Sequence, residues 1–164
     1  MNRPDDHVDD LEERARRVLD TNRYLTLGTT EPDQGPRLSP VYFTHVDYRD
    51  FFWVSSPAAR HSLNVAARPG IAIVVFDSTS PIGEGRAVYV SARAWLVPDE
   101  ELPQRCAEAF ASVDPDAKRF QPHDLSGDAD VRLYRAHADR HEIHVPGRDP
   151  KYGTGIDTRQ EVSL

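Results

Sequence analysis

The run from Arg37 to Arg93 constrains this chain most, because strand-like segments follow one another there with almost no helix between them. RLSPVYFTHVD and DFFWVSS are extended patterns, PAARHSLNVAARPG carries one short helix, and IAIVVFDS and RAVYVSARAWLV are extended again. Parallel neighbours need a long crossover between successive strands, usually a helix. Only one connection here is helical, so the pattern predicts an antiparallel sheet closed into a small barrel.

The flanks complete the pattern. From Asp9 or Asp10 the stretch DDLEERARRVLDTN is helical up to Asn22, with Leu11, Ala15, Val18 and Leu19 on one side. Tyr24–Thr29 is a first strand, EPDQGP a turn, and Pro36–His45 a second strand. Pro40 deletes a ladder donor in that second strand, which assigns it to an edge, a bulge or an exposed rim. Phe51–Ser55 follows as a third strand. Ile71–Phe76, bounded by Gly70 and Asp77, reads as a central buried one, and Ala87–Val97 as a long fifth. A helix after Pro98 turns Leu102, Cys106, Ala109, Phe110 and Val113 inward, so Cys106 is expected as a packed thiol. Val131–Val145 is the last strand, or two strands with a turn around Ala138 and Asp139. The expectation is a mainly β domain over residues 1–145, with residues 1–8 loose. Residues 146–164 form a C-terminal tail, or an arm that orders on a partner subunit.

Charge and composition narrow the function. The formal net charge of the 164 residues is −7, with no stripe of Lys and Arg, which argues against a nucleic-acid partner. The single cysteine allows neither an intramolecular disulfide nor a CxxC site. The start, MNRPDDHVDDLEE, is acidic and unlike a signal peptide, and no apolar run approaches membrane-spanning length. A cytoplasmic protein without membrane contact is expected. On a strand, His137 and His141 share a face and His144 points away. HEIH is not the HExxH zinc motif, so these are read as solvated histidines with no metal assigned. Ser39, Ser55, Ser56 and Ser91 lack the GxSxG context of a hydrolase. Gly83-Glu84-Gly85 is too short for a dinucleotide fingerprint.

Ser55–Asn64 is the informative group. Hydroxyls end a strand there, and Arg60 and His61 open a helix, a combination that suits a phosphate. The same residues also suit an ordinary short helix with surface arginines. Arg37 and Arg86 add cations at strand ends.

These segments together resemble the flavin-binding split-barrel proteins of the pyridoxamine 5′-phosphate oxidase-like family. The resemblance spans about Leu19 to Val97. It is carried by YLTLGTT, the strand from Arg37 to Phe43, FFWVSSPAARHSLNVAARPGIAIVVF and AVYVSARAWLV. The segment LYRAHADRHEIHVPGRDPKYGTGID looks like that of bacterial members of actinobacterial type. The resemblance implies a six-stranded antiparallel split barrel and a homodimer with a flavin at the subunit interface. It places Arg37, Ser39, Pro40 and Val41 against the flavin ring and ribityl chain. Ser55, Ser56, Arg60 and His61 would hold the phosphate, Asn64 would support their helix, and Arg86 would approach the ring. His61 stands where the family commonly has Lys or Arg, so one imidazole donor replaces a full charge. Tyr42 stands where the authentic oxidase has a lysine for the vitamin phosphate, and the Tyr, Arg and Ser of its second helix have no counterpart in DEELPQRCAEAFASV.

The resulting expectation is an FMN-dependent oxidoreductase acting on a small molecule that the sequence does not identify. Two alternatives share the fold: a reductase using the deazaflavin F420, whose acidic tail would need a basic groove such as Arg14, Arg16 and Arg17, and a flavin- or haem-binding module without turnover, the haem taking His45, His61 or a late histidine as axial ligand.

Overall fold

A computed structural model describes residues 10–164. The expectation of a loose stretch over residues 1–8 lies outside the described residues.

Helix α1 spans Leu11–Thr21, and the side chain of Asp10 caps it by accepting a hydrogen bond from the amide of Glu13. Glu12 and Glu13 sit in its first turn, where the helix dipole favours acids. Eight strands follow in one antiparallel sheet: β1 (Tyr24–Thr30), β2 (Pro36–Tyr42), β3 (Thr44–Val46), β4 (Asp50–Ser55), β5 (Gly70–Phe76), β6 (Ala87–Leu96), β7 (Arg132–Val145) and β8 (Thr158–Val162). Helix α2 (Arg60–Ala67) links β4 to β5, and α3 (Leu102–Ala109) lies between β6 and β7. The hydrogen-bonded order is β2-β1-β5-β6-β7-β4-β3, with β8 added to β7.

The two ends of that order, β2 and β3, are consecutive in sequence. At Phe43 the chain leaves the β1 ladder, where Tyr42 faces Tyr24, and joins the β4 ladder, where Thr44 faces Phe52. The buried Phe43 ring anchors this corner. The sheet therefore curls into a split barrel closed by a corner of the chain. Pro40 lies on β2, an end strand with its outer side unpaired, as its missing donor requires.

The strand count is eight rather than six. The expected second strand is divided at Phe43. The segment after Val145 is no free tail, since β8 pairs Val162 with His141 and Thr158 with Val145 within the same chain. The expected break in the last strand is a bulge. Ser91 pairs with Arg140 and Ala92 with Ala138, leaving Asp139 extra. The extra residue flips the alternation: Ala136 and Ala138 face inward before it, His141, Ile143 and Val145 after it. His137 therefore does not share the face of His141, as simple alternation had implied.

Most of the core fills the barrel and the space under α1, from Leu19, Leu25 and Leu27 to Ile73, Val75, Val88 and Val90. A second cluster under α3 contains Phe52, Leu102, Cys106, Leu125 and Leu133. Phe51 belongs to the first cluster and Phe52 to the second, so β4 is covered on both faces. That explains its unbroken aromatic run. Fully burying one such ring contributes roughly 1.5–3 kcal/mol.

Candidate functional site

The strand registers gather one set of chain ends on one rim of the barrel. Thr30 ends β1 opposite Pro36 at the start of β2, Gly70 starts β5 opposite Arg93, and Ser55 ends β4 opposite Arg132 at the start of β7. Helix α2 leaves and re-enters the sheet on this rim.

Four of the sequence-predicted residues meet there with one that sequence reasoning missed. The Ser55 hydroxyl and Nε2 of His61 are 2.7 Å apart. Burial, and then the positive charge of Arg37, hold the His61 imidazole below its ordinary pKa, so the ring is neutral at pH 7. The missed residue is Glu31. Its carboxylate accepts a hydrogen bond from Nε of Arg37, and its other oxygen lies 3.7 Å from Nε of Arg60. Glu31 follows β1 directly, and its amide donates to the carbonyl of Gly35 at 2.8 Å, closing the turn before β2. The sequence EPDQGP shows the turn, but only the register brings Glu31 level with Arg37 and within reach of α2.

Ser56 begins the turn into α2, its hydroxyl accepting from the amide of Ala58 at 3.3 Å. The first residue outside the helix is Ala59, which offers no side-chain cap, and no acid lies in the first turn. The helix N-terminus thus keeps free amide donors on the side of Arg60 and His61. Asn64 is buried, and its Nδ2 donates to the buried Thr29 hydroxyl at 3.1 Å, fixing α2 against β1.

Ser39, Pro40 and Val41 lie farther along β2, facing Leu27, Thr26 and Leu25, and all three keep some solvent exposure. Arg86 is not brought to this rim. It precedes Ala87, which pairs with Phe76, while the next residue, Val88, faces Ile143 near the far end of β7. Arg132 and Ile143 are eleven positions apart, so on the order of 30 Å of strand separates Arg86 from Ser55 within one chain. Arg14 and Arg17 lie on Arg86's side, in the wall of a separate cleft.

The histidines are engaged singly. Nε2 of His141 is 2.7 Å from the carbonyl of Tyr48, His137 pairs with Asp50 at 2.9 Å, and His45 with Asp20 at 3.1 Å. Trp53 is buried and stacks on Tyr134 with ring centroids 5.7 Å apart, which makes it part of the core.

What gathers on the rim is a donor set without a catalytic carboxylate–imidazole pair: two guanidiniums, two hydroxyls, an imidazole and a helix N-terminus. Its one carboxylate is spent on the guanidiniums. Such a set suits an oxyanion and has little of its own with which to move electrons.

The profile of the pyridoxamine 5′-phosphate oxidase family matches residues 11–142. The chain belongs to that family. No curated protein matches it. Solved structures share the fold at low identity. A haem-binding protein from Mycobacterium smegmatis is 18% identical with a TM-score of 0.68, the match covering 98% of this chain and 60% of that one. An F420 reductase is 18% identical with a TM-score of 0.56, covering 77% of this chain and 94% of that one. An FAD-binding protein from Mesorhizobium loti is 19% identical with a TM-score of 0.57, covering 77% and 86%. These likenesses show that the chain shares the split-barrel fold.

Proposed function

We propose that this protein is a flavin-nucleotide-dependent oxidoreductase that uses FMN and acts on a small molecule. The convergence of Arg37, Arg60, His61 and Ser55 on one carboxylate carries the reading. In the protein alone, Glu31 fills the position of an anion between two guanidiniums. A cofactor phosphate has the same charge requirement and more acceptor oxygens, and guanidinium forks match its geometry. The hydroxyls of Ser55 and Ser56 and the free amides at the start of α2 complete the seat. The edge of β2, from Arg37 to Val41, runs away from the seat and offers backbone to the rest of the cofactor.

A bound flavin supplies the electron chemistry, and the chain's own residues bind and orient it. Ser55 positions the imidazole of His61. Asn64 and Thr29 hold the helix that carries His61 and Arg60.

FMN is favoured over F420 by the arginines of α1. Arg14 and Arg17 lie on the opposite rim, and Arg16 pairs with Glu12 at 3.7 Å beneath the Tyr48 ring, so among the described residues of one chain no basic groove continues the phosphate seat. A haem ligated by His61 would have to break the Ser55 contact. We further propose a homodimer. Arg86 approaches a flavin on the Ser55 rim only from a second copy, and Leu38, 70% exposed on the end strand β2, offers apolar contact surface beside Gly28 and Ala72.

Arg60→Glu tests the seat. It places a second carboxylate beside Glu31 on an exposed helix position that carries none of the core. FMN affinity is expected to fall at least about tenfold, since a charged hydrogen bond contributes roughly 1.5–3 kcal/mol. Normal FMN binding by a folded R60E variant would refute the assignment.

A further inference from the structure

The second core, under α3, is incompletely covered. Five hydrophobic side chains pack on it only partly buried, and four of them, Val54, Phe110, Phe120 and Val131, line one cleft of about 310 Å³. The uncovered apolar surface is thus gathered in one concave place, and its removal from water favours an occupant. The volume is that of a compact small-molecule site.

One wall of the cleft is firmly built. The chain after α3 returns past the end of β2 and is pinned on both sides. The Thr44 hydroxyl donates to the carbonyl of Ala109 at 2.7 Å, and the amide of Asp114 donates to the Tyr42 hydroxyl at 3.1 Å. Beyond Phe120, Gln121 and Asp124 close a capping box. Between these anchors the rings of Phe110 and Phe120 lie 5.9 Å apart, tilted by 40°.

Charge narrows what fits. Among the described residues, Lys118 is the only charged side chain lining the cleft. Its Nζ lies 4.5 Å from the centroid of the Phe120 ring, and it makes no ion pair among the described residues. No carboxylate lines the cleft; Asp114, four positions before Lys118, is already paired with Arg23 at 2.7 Å. The Tyr42 hydroxyl accepts from the Asp114 amide and keeps its own proton to donate. One ammonium and one hydroxyl suit a single anionic oxygen group. They do not suit a phosphate monoester, whose second negative charge would enter an apolar cleft unpaired.

Position ties the cleft to the cofactor reading. Tyr42 ends β2, the strand whose edge leaves the seat at Arg37, on the order of 17 Å of strand away. Val54 directly precedes Ser55 and faces Leu133, which also lines the cleft. The cleft therefore flanks the edge along which a seated flavin would extend.

We propose that this cleft holds the substrate: a flat, apolar compound without phosphate, an aromatic carboxylate or phenolate, with its ring among Val54, Phe110 and Phe120 and its one oxygen anion at Lys118. Its role as substrate rests on the flavin reading; its chemical class rests on the cleft alone.

The test titrates the full-length protein with naphthoate and with its neutral amide, followed by ligand fluorescence. It then titrates the FMN-saturated protein with naphthoate, followed by the visible absorption of the flavin. Naphthoate is expected to bind and to shift the flavin band. Lys118→Gln, at an exposed position, is expected to weaken naphthoate about threefold to fivefold and to leave the amide within about twofold. Ala117→Phe fills the cleft from a loop outside the core. It is expected to weaken both ligands at least about tenfold and to leave FMN affinity unchanged. Arg60→Glu is expected to leave naphthoate affinity unchanged. No binding of naphthoate, equal affinity for it in wild type and K118Q, or a loss caused instead by R60E would overturn the ligand class. An unmoved flavin band at saturating naphthoate would overturn the role as substrate. Failure of FMN to bind the wild type would overturn the flavin reading and that role with it, while the naphthoate titration still decides the ligand class.

Discussion

Two side chains set the character of the proposed phosphate seat. Glu31 holds Arg37 and Arg60 in place while no ligand is bound, and for the same reason competes with any incoming anion. A half-exposed ion pair is worth at most about 1 kcal/mol, so Glu31→Gln should tighten FMN by about threefold to fivefold. Riboflavin, which lacks the phosphate, should be unaffected, and parallel titrations of both ligands would check this. His61 acts in the opposite sense. Its imidazole is held below its ordinary pKa by burial and by Arg37, so it enters the complex neutral. A bound phosphate favours the charged ring, so binding takes up a proton and FMN affinity should rise as the pH falls toward and below 6.5. His61→Lys carries its charge at every pH in that range. H61K should bind FMN more tightly than wild type at pH 7.5, and the gap should narrow at pH 5.5. A constant ratio would show that His61 does not take the proton. The grouping of Ser55, Arg60 and His61 was legible because they are neighbours in sequence. Glu31 was not, because its role depends on a hairpin register and on the approach of α2, neither of which a turn motif encodes.

Among the elements, β7 and the β3–β4 hairpin depend on each other. Asp47 and Tyr48 both have positive φ, 51° and 56°, and the amide of Arg49 donates to the carbonyl of Val46 at 3.1 Å, which makes a tight turn within the three-residue loop between Val46 and Asp50. Asp47 suits a positive φ, but Tyr48 is not the glycine such a turn prefers at its second position, so the turn needs outside support. His141 gives it, 2.7 Å from the Tyr48 carbonyl; a carbonyl only accepts, so Nε2 carries the proton. Burial lowers the pKa of His141, outweighing the opposing effect of that hydrogen bond, while Arg49 lowers it further. The unfolded chain, with an ordinary imidazole, therefore binds a proton that the folded chain refuses. Stability is highest above pH 6.5 and is lost as the pH falls from there through the folded pKa. Thermal melts should show a smaller drop between pH 7 and pH 5 in His141→Gln than in wild type. An unchanged drop would place the acid sensitivity elsewhere. The bulge at Asp139 gives His141 its inward direction. Composition marked that place as a turn, but two-residue periodicity cannot show that a strand continues past an extra residue and reverses its faces.

The described residues form a sheet whose ends are joined by one buried corner at Phe43, leaving two open rims. The antiparallel barrel, its central β5 and the edge position of β2 were readable from strand order, from one apolar run and from Pro40. The eighth strand was not. Residues 146–157 carry glycines for a loop packed on its own backbone, and that composition looks like disorder when read without the contacts. The two rims separate the arginines that sequence alone had grouped: Arg37 and Arg60 lie on one rim, Arg86 on the other. The account rests most heavily on the first rim being a phosphate seat. The most direct measurement is a parallel fluorescence titration of the purified protein with FMN and with riboflavin, identical ligands apart from the phosphate. FMN is expected to bind at least about tenfold more tightly than riboflavin. Equal affinities would mean that Arg37, Arg60, His61 and Ser55 hold Glu31 and nothing else.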